Sequence, residues 1–219
     1  MSVPILVIGN KNYSSWSLRP WIAMKVLGLE FQELRIPLYG PASSEEIRRY
    51  SPTGKVPCLV AGTARIWDSL AILEYLAERH PLWPEDPDAR AVARSVSAEM
   101  HSGVAALRQH MSMNVRRRFP GKGRTPESMA DVARVIALWA DCRERFGLGG
   151  DFLFGAFSAA DAMYAPVVLR FRTYEVELPP ACRAYADAML ELPAMREWIA
   201  AAERETESIE KFELYQAQP

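Results

Sequence analysis

Over the first eighty residues, apolar and polar positions alternate in short blocks whose period switches between that of a strand and that of a helix. Ile5 to Ile8 is an unbroken branched apolar run, the pattern of a strand covered on both faces. Ser14 to Pro20 is polar and opens a helix, with Ser17 as its N-cap and Pro20 tolerated in the first turn. Leu18, Ile22, Val26 and Leu29 then recur near helical spacing, and Gly28 marks the stop. Phe31 to Ile36 alternates as a second strand ended by Pro37, and Ser43 to Tyr50 reads as a short helix. Pro57 to Ala61 and Ala64 to Trp67 form a hairpin around Gly62-Thr63. Asp68 caps a third helix with the stripe Leu70, Leu73, Leu76 and Ala77. The order β-α-β-α-β-β-α predicts a small α/β domain with a mixed sheet over residues 1–80.

Pro81, Pro84 and Pro87 mark residues 81–87 as a linker, and beyond them strand signals stop. Residues 88–219 therefore read as an all-helical domain. One long helix is expected from Ala89 to about Asn114, with an apolar row at Met100, Val104, Leu107 and Met111. A second carries Met129, Val132, Ile136 and Trp139 and ends before the glycines at 147–150. Further helices open at Ser158, after Pro179-Pro180, and at Pro193. Ser158 with Asp161 spells an S-x-x-D capping box, whose loss would cost about 1 kcal/mol. The last fifteen or so residues are polar and are expected to wrap the surface or fray.

Composition narrows the function classes. With 49% hydrophobic and 24% charged residues, this is the balance of a soluble globular chain. A net charge of −1 lacks the basic excess of a nucleic-acid binder, and Arg116 to Arg118 reads as a solvated helix end. The three cysteines, Cys58, Cys142 and Cys182, form no CxxC pair, which fits free thiols in a reducing, cytoplasmic setting. The first apolar stretch is too short for a signal-peptide core, and no run is long enough to cross a bilayer, so no membrane partner is expected. His80, His101 and His110 lack ligand spacing, so no metal is expected.

Four stretches carry a resemblance. Tyr13-Ser14-Ser15-Trp16-Ser17-Leu18-Arg19, Gly54-Lys55-Val56-Pro57-Cys58-Leu59, the run from Trp67-Asp68-Ser69 to Leu76, and Phe157 to Asp161 resemble the cytosolic glutathione transferases at family-typical separations. Domain order and linker position agree, so the resemblance spans essentially the whole chain. It implies an N-terminal thioredoxin-like domain followed by a C-terminal helical bundle, and a homodimer. The first stretch is similar to the serine-using zeta type, whose two serines are followed by a cysteine, but Trp16 holds that place here.

The resemblance also implies roles. Val56-Pro57 would be a cis peptide that leaves the Val56 main chain free to pair with the cysteinyl part of glutathione, the co-substrate. Asp68 and Ser69, at a helix N-terminus, would take its γ-glutamyl end, and Lys55 its glycyl carboxylate. Ser14 would donate its hydroxyl to the glutathione sulfur, with Ser15 the second candidate, Ser17 a further one and Arg19 an electrostatic aid; all three serines could instead merely cap the helix. Lowering a thiol pKa of about 8.5 by two units needs about 2.7 kcal/mol of preference for the anion. A hydroxyl hydrogen bond to a charged partner supplies about 1.5–3 kcal/mol, and a helix N-terminus about 0.3–1 kcal/mol. The two suffice without a general base. His101 and Arg108 would border the pocket for a small hydrophobic electrophile. The competing functions are a zeta-type cis–trans isomerase, a thiol–disulfide reductase, and a non-catalytic binder that kept the fold.

Overall fold

In the computed structural model, residues 3–215 are described. Strand β1 (Ile5–Ile8) lies inside a four-stranded sheet of order β2-β1-β3-β4. It runs parallel to β2 (Gln32–Arg35) and antiparallel to β3 (Cys58–Ala61), which pairs antiparallel with β4 (Ala64–Trp67). Strand side chains alternate faces, and the two faces meet different cores. Leu6, Ile8 and Leu59 join the main core beside helices α1 (Ser15–Val26) and α3 (Ser69–Ala77). Val7, Cys58 and Val60 pack on the other face with Ile47 of the short helix α2 (Ser43–Arg48). An apolar run with no polar side is what a strand needs when both faces are covered.

Helix α1 departs from the sequence reading in two details. Its cap position is Ser14, and Ser17 lies within the first turn, because the helix begins at Ser15. Pro20 consequently falls in the second turn, where it withholds the N–H that the Trp16 carbonyl would otherwise accept.

The single long helix expected from Ala89 to Asn114 is also corrected. Helix α4 (Pro87–Ser102) stops at Gly103, and α5 (Ala105–His110) starts anew after Val104 at φ +50°. A Cβ on Gly103 would sit 2.8 Å from the Glu99 carbonyl oxygen, so the chain turns there on a glycine. The Leu107 N–H in the first turn of α5 donates to the Asp131 carboxylate at 2.9 Å. Met100, Leu107 and Met111 stay buried across the break, which is why periodicity alone did not reveal it.

The remaining helices are α6 (Pro126–Phe146), α7 (Ala159–Tyr174), α8 (Pro180–Glu191) and α9 (Pro193–Glu203). Helix α7 is buried nearly all round and packs against both α1 and α4, tying the α/β unit to the helical one. Beyond α9 the chain folds back over the β1–α1 loop. Glu205 accepts from the Lys11 and Asn12 N–H groups at 2.7 and 3.0 Å, and the Arg116 guanidinium donates to the carbonyls of Glu205 and Glu207. Phe212 stacks on Tyr13 with ring centroids 5.7 Å apart. The polar tail wraps the surface as a set of staples, and its final residues, 216–219, lie outside the described ones.

Candidate active site

The start of α1 is fastened before it meets anything else. The Asn10 carbonyl accepts from the Tyr13 and Ser14 N–H groups at 3.2 and 2.8 Å, and Asn12 is tied to Asn114 and to the Arg116 N–H. Ser14 and Ser15 are thereby held at the mouth of a groove of about 560 Å³. One wall is Tyr13 to Trp16, another is Gly54, Lys55 and Val56, and the helical unit closes it with Arg108, Met113 and Arg170. Lys211 and Phe212 of the tail complete the rim.

Each serine of α1 has its own partner. Ser14 Oγ lies 2.7 Å from Ser17 Oγ, which accepts the Gly9 N–H at 3.1 Å. Ser15 Oγ accepts from Arg170 at 3.4 Å. The N–H groups of Trp16 and Ser17 find no acceptor among the described residues, as expected at a helix N-terminus. Val56–Pro57 is a cis peptide, and the Val56 N–H and C=O are also unpaired among the described residues.

Three guanidiniums gather around this helix start. Arg19 donates to Ser69 Oγ at 3.2 Å and lies 4.1 Å from the Trp16 ring centroid, while Arg108 lies 4.9 Å from the same ring. Arg170 donates to the Met111 carbonyl. None of the three forms an ion pair among the described residues. Burial, with the charges of Arg108 and Arg170, pushes the Arg19 pKa down to about 9, and burial pushes Arg170 to about 10. Both remain protonated at neutral pH. Arg108 and Arg170 line the groove together with Lys55 and Lys211, and among the described residues no carboxylate does. Its neutral lining includes the aromatic rings of Tyr13, Trp16, Tyr39 and Phe212.

Asp68 and Ser69 sit behind this groove and do not line it. Asp68 holds φ +71°, accepts the Leu70 N–H at 2.8 Å, and meets His101 Nε2 at 2.8 Å across the unit boundary. Burial pushes its carboxyl up, but the hydrogen bonds from His101 and Leu70 outweigh this and hold it below the usual value. Ser69 is fully buried under Arg19. His101 therefore faces Asp68 and the Trp16 edge, whereas Arg108, on the next helix, borders the groove. Arg170 and the tail residues escaped the sequence reading. The apolar run of α7 is interrupted by Arg170 and Arg172, which was a usable signal; the tail offered none.

Among the described residues no His, Cys, Asp and Glu group is placed to hold a metal, and no helix is long and apolar enough to cross a membrane.

The sequence profile of the glutathione S-transferase N-terminal domain matches residues 13–79, and that of the C-terminal domain matches residues 90–201. Maleylacetoacetate isomerase of Rattus norvegicus is 30% identical over 186 residues, covering 81% of this chain and 82% of the rat protein. Glutathione S-transferase Z2 of Arabidopsis thaliana is 27% identical, over 90% of this chain and 94% of the plant protein. A diazinon-metabolizing glutathione S-transferase from the silkworm Bombyx mori superposes with a TM-score of 0.72 at 16% identity, covering 92% of this chain and 98% of that one. A theta class enzyme from Xanthomonas axonopodis pv. citri, solved with glutathione bound, gives 0.65 at 21% identity, over 91% and 98%. At those identities the structures speak for the fold. The chain belongs to the glutathione S-transferase family and is a glutathione transferase by enzyme class.

Proposed function

We propose that the groove binds glutathione and that Ser14 donates its hydroxyl to the sulfur, holding it as a thiolate for attack on an electrophile. The observation that carries this reading is the placement of Ser14: a hydroxyl at a helix N-terminus, lining a cationic groove beside the unpaired Val56 main chain. The thiol proton leaves to solvent, the sulfur forms a bond to the electrophilic carbon, and the leaving group departs with the bonding pair. Ser14 never becomes the attacking atom. Lys55 and Val56 would hold the tripeptide, with Arg19 as an electrostatic aid to the thiolate and Arg108 beside the second substrate; a role for Asp68 and Ser69 at the γ-glutamyl end does not fit their place behind the groove.

The decisive measurement is a pH–rate profile with a chloro-dinitrobenzene as electrophile. Ser14→Ala should lower turnover about ten- to a hundredfold at neutral pH, with the loss shrinking as pH rises and solvent deprotonates the thiol unaided. Ser15→Ala should lack that pH-dependent loss. The reverse pattern would assign the donor to Ser15, and no pH-dependent loss in either variant would discard the hydroxyl mechanism.

A second reading is glutathione-dependent cis–trans isomerisation, as the name of the rat relative describes. The cationic lining favours it, because Arg108 and Arg170 suit a substrate with carboxylate groups. Turnover of a cis-enone acid without net consumption of glutathione would select it. Thiol–disulfide reduction lacks a cysteine at the start of α1, and Cys58 is fully buried. We also infer a cytoplasmic homodimer with the unit boundary at residues 81–87; the three described cysteines are free and buried, as suits a reducing compartment.

A further inference from the structure

Ser17 takes no part in the groove. It is fully buried in the first turn of α1, with its oxygen turned toward the β1 end rather than toward the ligand space. Two contacts define it: it accepts the Gly9 N–H at 3.1 Å, and its oxygen is 2.7 Å from that of Ser14. Only one proton fits between two hydroxyl oxygens, so one serine is the donor and the other the acceptor.

Proton accounting separates the two assignments. Suppose Ser14 donates to Ser17. The Ser17 oxygen then accepts twice, and its own proton has no acceptor among the described residues in a place water does not reach. A buried hydroxyl proton without an acceptor keeps its full desolvation penalty with nothing to offset it. Suppose instead that Ser17 donates to Ser14. Ser17 is then satisfied both as donor and as acceptor, and the one proton left over is that of Ser14. That proton faces the groove, where a ligand or water can take it. The second assignment leaves nothing orphaned.

We propose that Ser17 is a positioning residue for the glutathione thiolate, acting through Ser14 in a directed chain from the Gly9 N–H to Ser17, to Ser14 and on to the sulfur. This rests on the reading that Ser14 is the donor. Ser17 touches no reacting atom. It occupies one lone pair of the Ser14 oxygen, which turns the Ser14 proton toward the groove before any ligand arrives. It also polarises that hydroxyl, since hydrogen bonds in series strengthen one another by about 10–30% each. Ser15 is held differently: its oxygen accepts from the Arg170 guanidinium at 3.4 Å, a looser contact.

The test compares wild type, Ser14→Ala, Ser17→Ala, the Ser14→Ala/Ser17→Ala double variant and Ser17→Thr. The readouts are the ultraviolet thiolate absorbance of bound glutathione against pH and the affinity for glutathione itself. Ser17→Ala should raise the pKa of the bound thiol by about half a unit, an ionisation constant about threefold smaller, with glutathione affinity changed less than about twofold. In the Ser14→Ala background, Ser17→Ala should shift the pKa no further, and Ser17→Thr should restore the wild-type value. A lower melting temperature alone decides nothing, because the Gly9 N–H loses its acceptor in Ser17→Ala whatever the mechanism. If the buried site rejects the threonine methyl, the double-variant comparison still discriminates. Equal pKa shifts in both backgrounds, or no shift from Ser17→Ala while Ser14→Ala shifts strongly, would overturn the relay and leave the Ser14 donor standing. No shift from Ser14→Ala would remove the donor and the relay together.

Discussion

Arg19 and Arg170 are two guanidiniums almost wholly removed from water, and neither has a carboxylate within ion-pair distance among the described residues. Burying a charge without a counter-ion is costly, and proteins keep such groups where an anion is to be met. Arg170 reaches the groove from the buried face of α7 and therefore adds positive potential where a thiolate or a carboxylate would sit. Arg170→Met removes that charge while keeping most of the side-chain volume. It should raise the pKa of bound glutathione and lower turnover at neutral pH by about tenfold, with a melting temperature unchanged or higher, since an unpaired buried charge disappears. Unchanged turnover with a markedly lower melting temperature would make Arg170 a structural tether between α5 and α7. The sequence reading found Ser14, Val56 and Lys55, which do line the groove. It missed Arg170 because a residue's exposure to a pocket depends on neighbours 59 to 155 positions away, such as Met111 and Ser15.

At the scale of elements, the start of α7 shows how packing changes the weight of a familiar local signal. The capping box is present, but Asp161 does more than cap. Its carboxylate is fully buried and accepts from the Ser158 N–H and hydroxyl, both at 2.8 Å, and from the Leu153 N–H at 3.0 Å. The loss of about 1 kcal/mol expected for a cap alone is therefore too small, because each orphaned buried donor adds about 1–3 kcal/mol. Burial also pushes the Asp161 pKa up from 3.8 to about 6, against the pull of these hydrogen bonds. A carboxyl with a raised folded-state pKa binds its proton more tightly when folded. Its titration thus favours the folded state as pH falls through about 6 toward 3.8, and that contribution is lost as pH rises. Asp161→Asn should be less stable than wild type at pH 7. As pH drops toward about 4, wild type should gain up to about 3 kcal/mol relative to the variant. Urea melts across that range check it; a gap that stays constant or narrows would show that Asp161 is an ordinary low-pKa carboxylate.

For the whole molecule, the arrangement places every part of the groove at the seam between the two units. Helix α1 supplies the serines, the β3 approach supplies Val56, α5 and α7 supply arginines, and the tail folds back to add Lys211 and Phe212. The sheet ends at β4, where Trp67 is 46% accessible. An uncovered edge carrying a large aromatic calls for a partner, and a second copy meeting across a two-fold axis would supply one. Light scattering at micromolar concentration should give about twice the single-chain mass; the single-chain mass would rule the homodimer out.

Strand and helix order, the mixed-sheet topology, the cap at Asp68 and the serine-bearing start of α1 were legible from residue spacing. They depend on local periodicity and on short-range cap chemistry, both written into consecutive positions. The break at Gly103 was not legible, because the apolar row runs on through it and the turn is stabilised by Asp131 from another helix. The tail's path was hidden for the same reason: its polar residues look solvated until Arg116, Lys11 and Asn12 are brought beside them. Sequence alone thus determined the order of the strands, most of the helices and which residues stand at the head of α1. Only the tertiary structure decided which charges share the groove, which serine faces it and which lies beneath, since burial and long-range hydrogen bonds exist only once distant segments meet.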